Sequence, residues 1–192
     1  DSITTGGGVD TITIGNLDLN GALAFGAGDD VLSVTNAAAD VEGTTISGLK
    51  TITLAQDTAL AVTAAQLHAF DAISGFAVTG NTNGGLETID VAADGGATTL
   101  DASDATYTNA AITITVDDPA DDIELNSGAD TVTIGNLNLD GTLTFGTGDD
   151  VLSVTHASAD VEGTTITGLK TITLAQDTNL AVTAVQLHAL DA

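Results

Sequence analysis

An internal repeat constrains this chain more than any other feature: residues 10–72 return almost unchanged as residues 130–192. The offset between the copies is constant (130 − 10 = 120), and Asp1 aligns in the same register with Asp121. Self-similarity at a fixed period is typical of repeat architectures, in which each unit buries its apolar face against the next. We therefore predict a first repeat unit over residues 1–120 and a partial second copy over residues 121–192, as in an excerpt from a longer tandem array.

Short segments with alternating apolar and polar residues recur along the chain, bounded by Gly, Asn and Asp. Such period-two alternation, with many β-branched residues, is typical of half-buried strands. The first three segments begin 20 residues apart, at positions 11, 31 and 51, so we expect Ile12, Leu32 and Ile52 to stack inward. The predicted strands are residues 11–14, 31–34, 51–54, 88–91 and 112–116.

Secondary apolar runs between these strands, at residues 22–25, 44–46 and 60–62, keep nearly the same spacing. They lead us to expect two strands in each coil of about 20 residues. A constant step between successive coils predicts an all-β fold, a parallel β-solenoid of the β-roll or β-helix kind with short helical insertions.

One segment departs from the strand pattern. Thr63 and Gln66, three residues apart, fit a capping box, in which each side chain satisfies a free backbone N–H group of the other residue. We predict a short helix from there to about Ala72, and a copy of it from Thr183 to about Ala192.

The charge of the chain restricts its partners. It carries 27 acidic residues against two lysines, for a formal charge of −25, yet 43% of its residues are hydrophobic. Nucleic acids and anionic membranes are bound through Lys and Arg, so we expect neither nucleic-acid binding nor membrane insertion. Without cysteine the chain has no disulfide framework and no thiolate metal site. Divalent cations are the obvious counter-charge.

A glycine-aspartate motif precedes four of the strands. It reads G-x-G-x-D at residues 6–10, 26–30 and 146–150, and Asn126 replaces the first glycine at residues 126–130. Glycine permits a tight turn and exposes backbone carbonyls, and aspartate supplies the hard anionic oxygen that Ca²⁺ prefers. A further acidic run occupies residues 117–122. The predicted calcium site comprises Gly8, Asp10, Gly28, Asp29, Asp30, Asp117, Asp118, Asp121, Asp122, Asp130, Gly148, Asp149 and Asp150.

The motif resembles the nonapeptide G-G-x-G-x-D-x-apolar-x of the repeats-in-toxin family, whose repeats build a calcium-bound parallel β-roll. The resemblance covers about nine residues at each of the four places. The family's first glycine is replaced here by Thr5, Phe25, Leu125 and Phe145, and the motifs stand 20 residues apart instead of adjoining. More loosely, the chain is similar to the Thr/Ala/Gly-rich, Arg-poor repeats of large bacterial adhesins and surface-layer proteins. These resemblances imply Ca²⁺ as the cofactor and a secreted, cell-surface location.

Counting along the repeat places Asp10, Asp30 and Lys50 in one column, with adjacent coils about 4.8 Å apart. Two bare carboxylates at that distance repel, so we expect calcium between them and the Lys50 ammonium at the end of the column. The aspartates could instead only cap turns by accepting backbone N–H groups. Residues 117–122 could equally form a solvated linker between units.

Three classes of function remain open. The first is a non-catalytic, calcium-stabilised structural segment of a bacterial cell-surface protein, as a spacer or as a surface-layer or filament subunit that contacts neighbouring copies of itself. The second is an adhesin module that binds glycan or ice, since outward threonine rows suit a flat ligand. The third is a polysaccharide-modifying enzyme, which we do not expect because the candidate acids all lie in turn motifs.

Overall fold

A computed structural model describes residues 2–15, 18–82, 87–92, 96–135 and 138–189. Every pairing between its strands is parallel, and the strands wind into a β-solenoid of about eight turns with two short helices. The predicted fold class is confirmed.

The strands, numbered in chain order, form five parallel sheets. Sheet I contains β1 (Ser2–Thr4), β3 (Gly21–Ala24) and β6 (Thr44–Ser47). Sheet II contains β2 (Thr11–Ile14), β4 (Asp30–Val34), β7 (Leu49–Leu54), β9 (Ala77–Thr79) and β12 (Thr106–Thr108). Sheet III contains β5 (Ala38–Asp40), β8 (Ala59–Thr63), β10 (Glu87–Ala92), β13 (Ala110–Val116), β15 (Thr131–Ile134), β17 (Val151–Val154) and β20 (Thr171–Leu174). Sheet IV contains β11 (Thr99–Asp101), β14 (Asp122–Glu124), β16 (Thr142–Thr144) and β19 (Thr165–Thr167). Sheet V contains β18 (Ser158–Asp160) and β21 (Asn179–Ala181).

Each regular coil carries three strands, so the expectation of two per coil is wrong. The second coil runs through β3, β4 and β5, which belong to sheets I, II and III in turn. The missed strand, β5, has the sequence Ala-Ala-Asp and pairs with β8. Residues 60–62 therefore stack on β5 rather than on the runs at 22–25 and 44–46.

The predicted inward stack is confirmed. Ile12 lies opposite Leu32, and Leu32 lies opposite Ile52, in the register of sheet II. These three side chains are at most 8% exposed. They join a single aliphatic cluster that runs along the solenoid axis and includes only a few aromatic rings.

The first helix, α1 (Ala64–Asp71), begins at the predicted capping box. The Thr63 hydroxyl accepts the backbone N–H of Gln66, and the Gln66 side chain accepts the backbone N–H of Thr63. The second helix, α2 (Ala184–Ala189), repeats both bonds between Thr183 and Gln186. Both predicted helices are confirmed, while residues 190–192 of the second lie outside the described residues.

Candidate metal centre at the glycine-aspartate corners

The four motifs form two corners of the solenoid. We call residues 6–10 and 26–30 the first corner, and residues 126–130 and 146–150 the second corner. Bridges between Gly7 and Ala27, and between Ser127 and Thr147, hold the adjacent coils in register at these corners.

The glycines of the motif are required by close stacking of the backbone. A Cβ atom on Gly28 would overlap the carbonyl oxygen of Gly8 in the coil below, and one on Gly148 would overlap that of Gly128. Gly8 itself has φ of +112°, which side-chain-bearing residues rarely adopt. The G-x-G spacing thus has a structural cause that needs no metal.

The aspartates of the first corner join one coil to the next. Asp30 is 0% exposed, and its Oδ1 accepts the backbone N–H of Asp10 at 2.7 Å. In turn, the backbone N–H of Val31 donates a hydrogen bond to the carbonyl oxygen of Asp10, at 2.9 Å. Asp30 therefore caps a backbone N–H group of the coil below, which is the alternative role that the sequence left open.

The second corner repeats this arrangement and extends it by one coil. Asp150 Oδ1 accepts the backbone N–H of Asp130 at 3.0 Å, and Asp130 Oδ1 accepts that of Ile112, in β13 below, at 2.7 Å. Asp130 and Asp150 are both 0% exposed. The charge of Asp150 acts on Asp130, so these two carboxylates lie near each other, and Asp10 and Asp30 are joined by the equivalent backbone-to-carboxylate bond in the first corner.

Each of these four carboxylates keeps one buried oxygen without a hydrogen-bond partner. These atoms are the Oδ2 oxygens of Asp10, Asp30, Asp130 and Asp150. A buried polar oxygen without a partner costs roughly 1 to 3 kcal/mol, and more when the group is charged. Neighbouring coils lie about 4.8 Å apart, and two carboxylates at that separation would repel by about 3.5 kcal/mol at an effective dielectric near 20. A proton or a cation at these oxygens would remove that cost.

Burial accordingly raises the pKa values of the two carboxyl groups at the second corner. It raises the pKa of Asp130 to about 6, although the N–H of Ile112 opposes the shift. Burial also raises the pKa of Asp150, and the nearby charge of Lys170 acts in the opposite direction. Both carboxyls are harder to ionise than an ordinary aspartate because water cannot reach them.

The expected column of Asp10, Asp30 and Lys50 is wrong at its third member. A register shift between Asp30 and Val31, at the start of β4, places Leu49, not Lys50, opposite Asp30. The Lys50 Nζ instead donates a hydrogen bond to the carbonyl of Ser74 in the next coil. Simple counting failed because a bulge inserts one residue between Leu49 and Thr51.

The remaining predicted site residues lie apart from the carboxylate pairs or on their outer side. Asp29 and Asp149 are exposed at the two corners. Asp121 is buried in the turn between β13 and β14, where its Oδ1 accepts the N–H of Thr98 and its Oδ2 accepts those of Asp117 and Asp118. The Asp122 Oδ1 accepts the N–H of Thr142. Four backbone donors therefore occupy the carboxylates of Asp121 and Asp122, as in an ordinary capped turn.

Two buried polar side chains that lack hydrogen-bond partners were not singled out from the sequence. Glu87 is 1% exposed with both carboxylate oxygens unpartnered, and the buried hydroxyl of Tyr107 also lacks a partner. Burial and the charges of Asp71 and Asp130 raise the pKa of Tyr107. The alternation of the predicted strand at residues 88–91 gives a signal for Glu87, since it shares the parity of the inward-facing Ile89 and Val91.

A shallow groove of about 340 Å³ lies on sheet IV beside α1. It is lined by His68, Asp101, Asp122 and Glu124, among others. Asp101 and Glu124 are directly opposed on adjacent strands, and the His68 Nδ1 accepts the N–H of Asp101 at 3.3 Å. Asp101 and Glu124 thus lie on strands and are acids that the sequence did not single out.

The donor set at the corners fits calcium only if backbone and water complete it. Among the described residues, no three Asp, Glu or His side chains gather closely enough to hold a metal by themselves. Ca²⁺ takes six to eight oxygens and accepts carbonyls and water among them. The buried carboxylate oxygens without partners, two at each corner, are consistent with part of that shell.

Comparisons with protein-family models, with curated proteins and with solved structures gave no match to this chain. Neither helix of the described part of the chain has the length and apolar character that a membrane span requires.

Proposed function

We propose that this chain is a non-catalytic structural segment of a secreted bacterial cell-surface protein, and that calcium stabilises it. The observation that carries the proposal is the pair of corners, at each of which two carboxylates keep a buried oxygen without a hydrogen-bond partner. The continuous parallel solenoid and the near-identical copies support a structural role, because an array gains length or lattice contacts from each added copy.

At the first corner, the residues that would hold the ion are Asp10 and Asp30; at the second, Asp130 and Asp150. The Oδ1 atoms of Asp30, Asp130 and Asp150 already accept backbone N–H groups, and the Oδ2 atoms of these three and of Asp10 are available to an ion. A bound divalent cation supplies the positive charge that two facing carboxylates lack. Asp29 and Asp149, exposed beside these pairs, are the predicted outer ligands.

Thermal unfolding in calcium and in chelator tests the calcium part of this proposal. A ligand that binds only the folded chain, at a hundredfold excess over its dissociation constant, stabilises it by about 2.7 kcal/mol. We expect a higher melting temperature in calcium, and a much smaller rise in the double variant Asp30→Asn, Asp150→Asn. Asparagine keeps the oxygen that accepts the backbone N–H, so the folded coil is preserved. Equal melting temperatures in calcium and chelator would refute the calcium part.

The matched control is the double variant Asp57→Asn, Asp177→Asn. These two aspartates are also one repeat apart, and their substitution removes the same number of charges. Both are exposed in turns with positive φ, which asparagine adopts readily. The control should keep the full calcium response. A response lost equally in both double variants would mean that calcium acts only by screening the overall charge.

Electron microscopy with and without calcium tests the structural role. Sheets or filaments would indicate a self-assembling subunit, and isolated rods would indicate a spacer.

The groove on sheet IV favours one competing function, because Asp101 and Glu124 face each other as the carboxylate pair of a glycosidase does. Turnover of acidic or neutral polysaccharides that is lost in Glu124→Gln would establish that function instead.

A further inference from the structure

Glu87 is a buried acid that takes no part in the glycine-aspartate corners. It is the first residue of β10, lies opposite Ala110 of β13 and is 1% exposed. Both of its carboxylate oxygens are buried without a hydrogen-bond partner, and no other acid among the described residues has both oxygens in that state. The buried Asp71 and Asp121, in contrast, each accept backbone N–H groups. An ionised carboxylate buried without a partner is strongly unfavourable, so Glu87 needs a counter-charge.

The lysines of the chain do not supply that counter-charge. The Lys50 ammonium donates its hydrogen bond to the carbonyl of Ser74, and the charge of Lys170 acts on Asp150 at the second corner. The sequence contains no arginine. A positive charge at Glu87 therefore has to come from outside these side chains.

A backbone oxygen of the next coil lies beside the Glu87 carboxylate. A Cβ atom on Gly80, which follows β9, would lie 2.0 Å from the carbonyl oxygen of Asn109 and 2.4 Å from Oε2 of Glu87. The two oxygens are therefore no more than 4.4 Å apart, the sum of these distances. Asn109 is the single residue between β12 and β13, and its φ is +52°. A side chain at position 80 would overlap both oxygens, so glycine is required there.

We propose that the Glu87 carboxylate and the Asn109 carbonyl bind a calcium ion at a site separate from both corners. Ca²⁺ binds oxygens at about 2.3–2.6 Å, so two of its ligands lie at most about 5 Å apart, and these two oxygens satisfy that limit. Ca²⁺ also accepts carbonyl ligands in irregular geometry. Mg²⁺ keeps several waters, for which the surroundings of a side chain 1% exposed leave little room.

The ion would join two adjacent coils in the part of the chain that occurs once. Glu87 belongs to the coil of β9 and β10, and Asn109 belongs to the coil of β12 and β13, which pairs with it. With one carboxylate in place of two, the site should bind more weakly than a corner, with a dissociation constant of about 10⁻⁴ to 10⁻³ M. This inference rests on the proposed role of calcium, but it shares no residue with the corners.

Amide hydrogen exchange of the full chain, with and without calcium, tests the proposal. We expect calcium to slow exchange at residues 77–80 and 106–110 at least threefold, because the ion joins these coils. Glu87→Gln should abolish the slowing. Glutamine keeps the shape of the side chain, and its amide can donate to the Asn109 carbonyl, so the coil should stay folded. The control is Asp90→Asn, which removes a charge from the opposite face of β10 and should keep the full effect.

The double variant Asp30→Asn, Asp150→Asn separates this site from the corners. The slowing at residues 106–110 should persist in it, with half-saturation at about 10⁻⁴ to 10⁻³ M calcium, and should vanish when Glu87→Gln is added. Slowing that is lost in the double variant, or unchanged in Glu87→Gln, would overturn the proposal. Equal slowing by magnesium would overturn the assignment to calcium. Slowing at this site, with a melting response to calcium that is the same in the wild type and the double variant, would support the Glu87 site while refuting the corners.

A second variant covers the case in which Glu87→Gln does not fold by circular dichroism. Glu87→Asp keeps the negative charge but shortens the side chain by one methylene, so its carboxylate reaches less far towards the Asn109 carbonyl. The variant should need at least fivefold more calcium for half-maximal slowing at residues 106–110. An unchanged calcium requirement would contradict a role for Glu87 as a ligand.

Discussion

The two copies carry the same motifs, but neighbouring coils cover a different end of each copy. In the first copy the last coil is covered, and in the second copy the first coil is covered. In the first copy the glycine-aspartate corner lies near the open end, where β2 is the edge strand of sheet II and Asp10 is half-buried. In the second copy β13 lies beneath the corner and Asp130 is 0% exposed. The burial of the copies' last coils is reversed, since only the first is covered. Local sequence thus determines the conformation of a coil, and the neighbouring coils determine how completely its polar side chains are buried.

The comparison ranks the two corners as ion sites. An acid that has lost more water is costlier to ionise, so a cation that neutralises it contributes more to folding. We therefore expect the second corner to depend on a cation more strongly than the first.

The largest difference is expected from alanine in place of the second glycine of each motif. Gly148→Ala should lower the free energy of unfolding by about 3 kcal/mol, because the new Cβ overlaps the Gly128 carbonyl between two fixed coils. Gly28→Ala should cost somewhat less, about 2 kcal/mol: its φ of +154° and the overlap with the Gly8 carbonyl both disfavour a side chain, but the end coil that carries Gly8 can shift. Urea denaturation of both variants measures this, and equal losses would contradict the ranking.

The next effect concerns pH in the absence of divalent cations. The folded-state pKa of Asp130, about 6, lies above its usual value of 3.8, so the folded chain holds the proton more tightly than the unfolded chain. The resulting stabilisation is complete below about pH 4 and is lost as the pH rises through about 6, up to about 3 kcal/mol in all. Saturating calcium should flatten this part of the profile.

Asp130→Asn identifies the contribution of that group. The variant should lose the fall in stability between about pH 4 and 6, whereas Asp57→Asn, which removes an exposed carboxylate, should keep it. Free energies of unfolding measured at half-unit pH intervals separate the two. A fall that persists in Asp130→Asn would assign it to other carboxyls.

The smallest effect concerns the helix caps. The Gln66 amide donates to the carbonyls of Val41 and Thr44, both at 2.7 Å, and Gln186 makes the same contacts in the second copy. Gln66→Ala and Gln186→Ala should each cost about 2 kcal/mol, because the freed carbonyls belong to residues that are equally buried in the two copies, Val41 and Val161 at 0% exposed and Thr44 and Thr164 at 4%. Thermal unfolding of the two variants compares them, and clearly unequal losses would contradict the account.

Much of the fold follows from local patterns in the sequence. The alternation around Ile12, Leu32 and Ile52 identified the strands of sheet II and their inward faces, and the Thr63–Gln66 pair identified the helix. The strand at Ala38–Asp40 was missed because alanine and aspartate have little strand preference, and its pairing with β8 is what makes it a strand.

The site was predicted less completely, for reasons that lie in packing. The G-x-G-x-D pattern located both corners, but it could not show that Asp30 and Asp150 accept backbone N–H groups from the coil below. Nor could spacing reveal the bulge that moves Lys50 out of the column. Both features depend on contacts between coils some 20 residues apart in sequence.

Calcium titration by calorimetry tests the central claim most directly. The account predicts that the wild-type chain binds calcium with saturable heat, and that the Asp30→Asn, Asp150→Asn variant, still folded by circular dichroism, loses most of that heat. The Asp57→Asn, Asp177→Asn control should bind as the wild type does. A wild-type isotherm without saturable heat, or one unchanged in the corner variant, would contradict the claim that calcium neutralises these buried carboxylates.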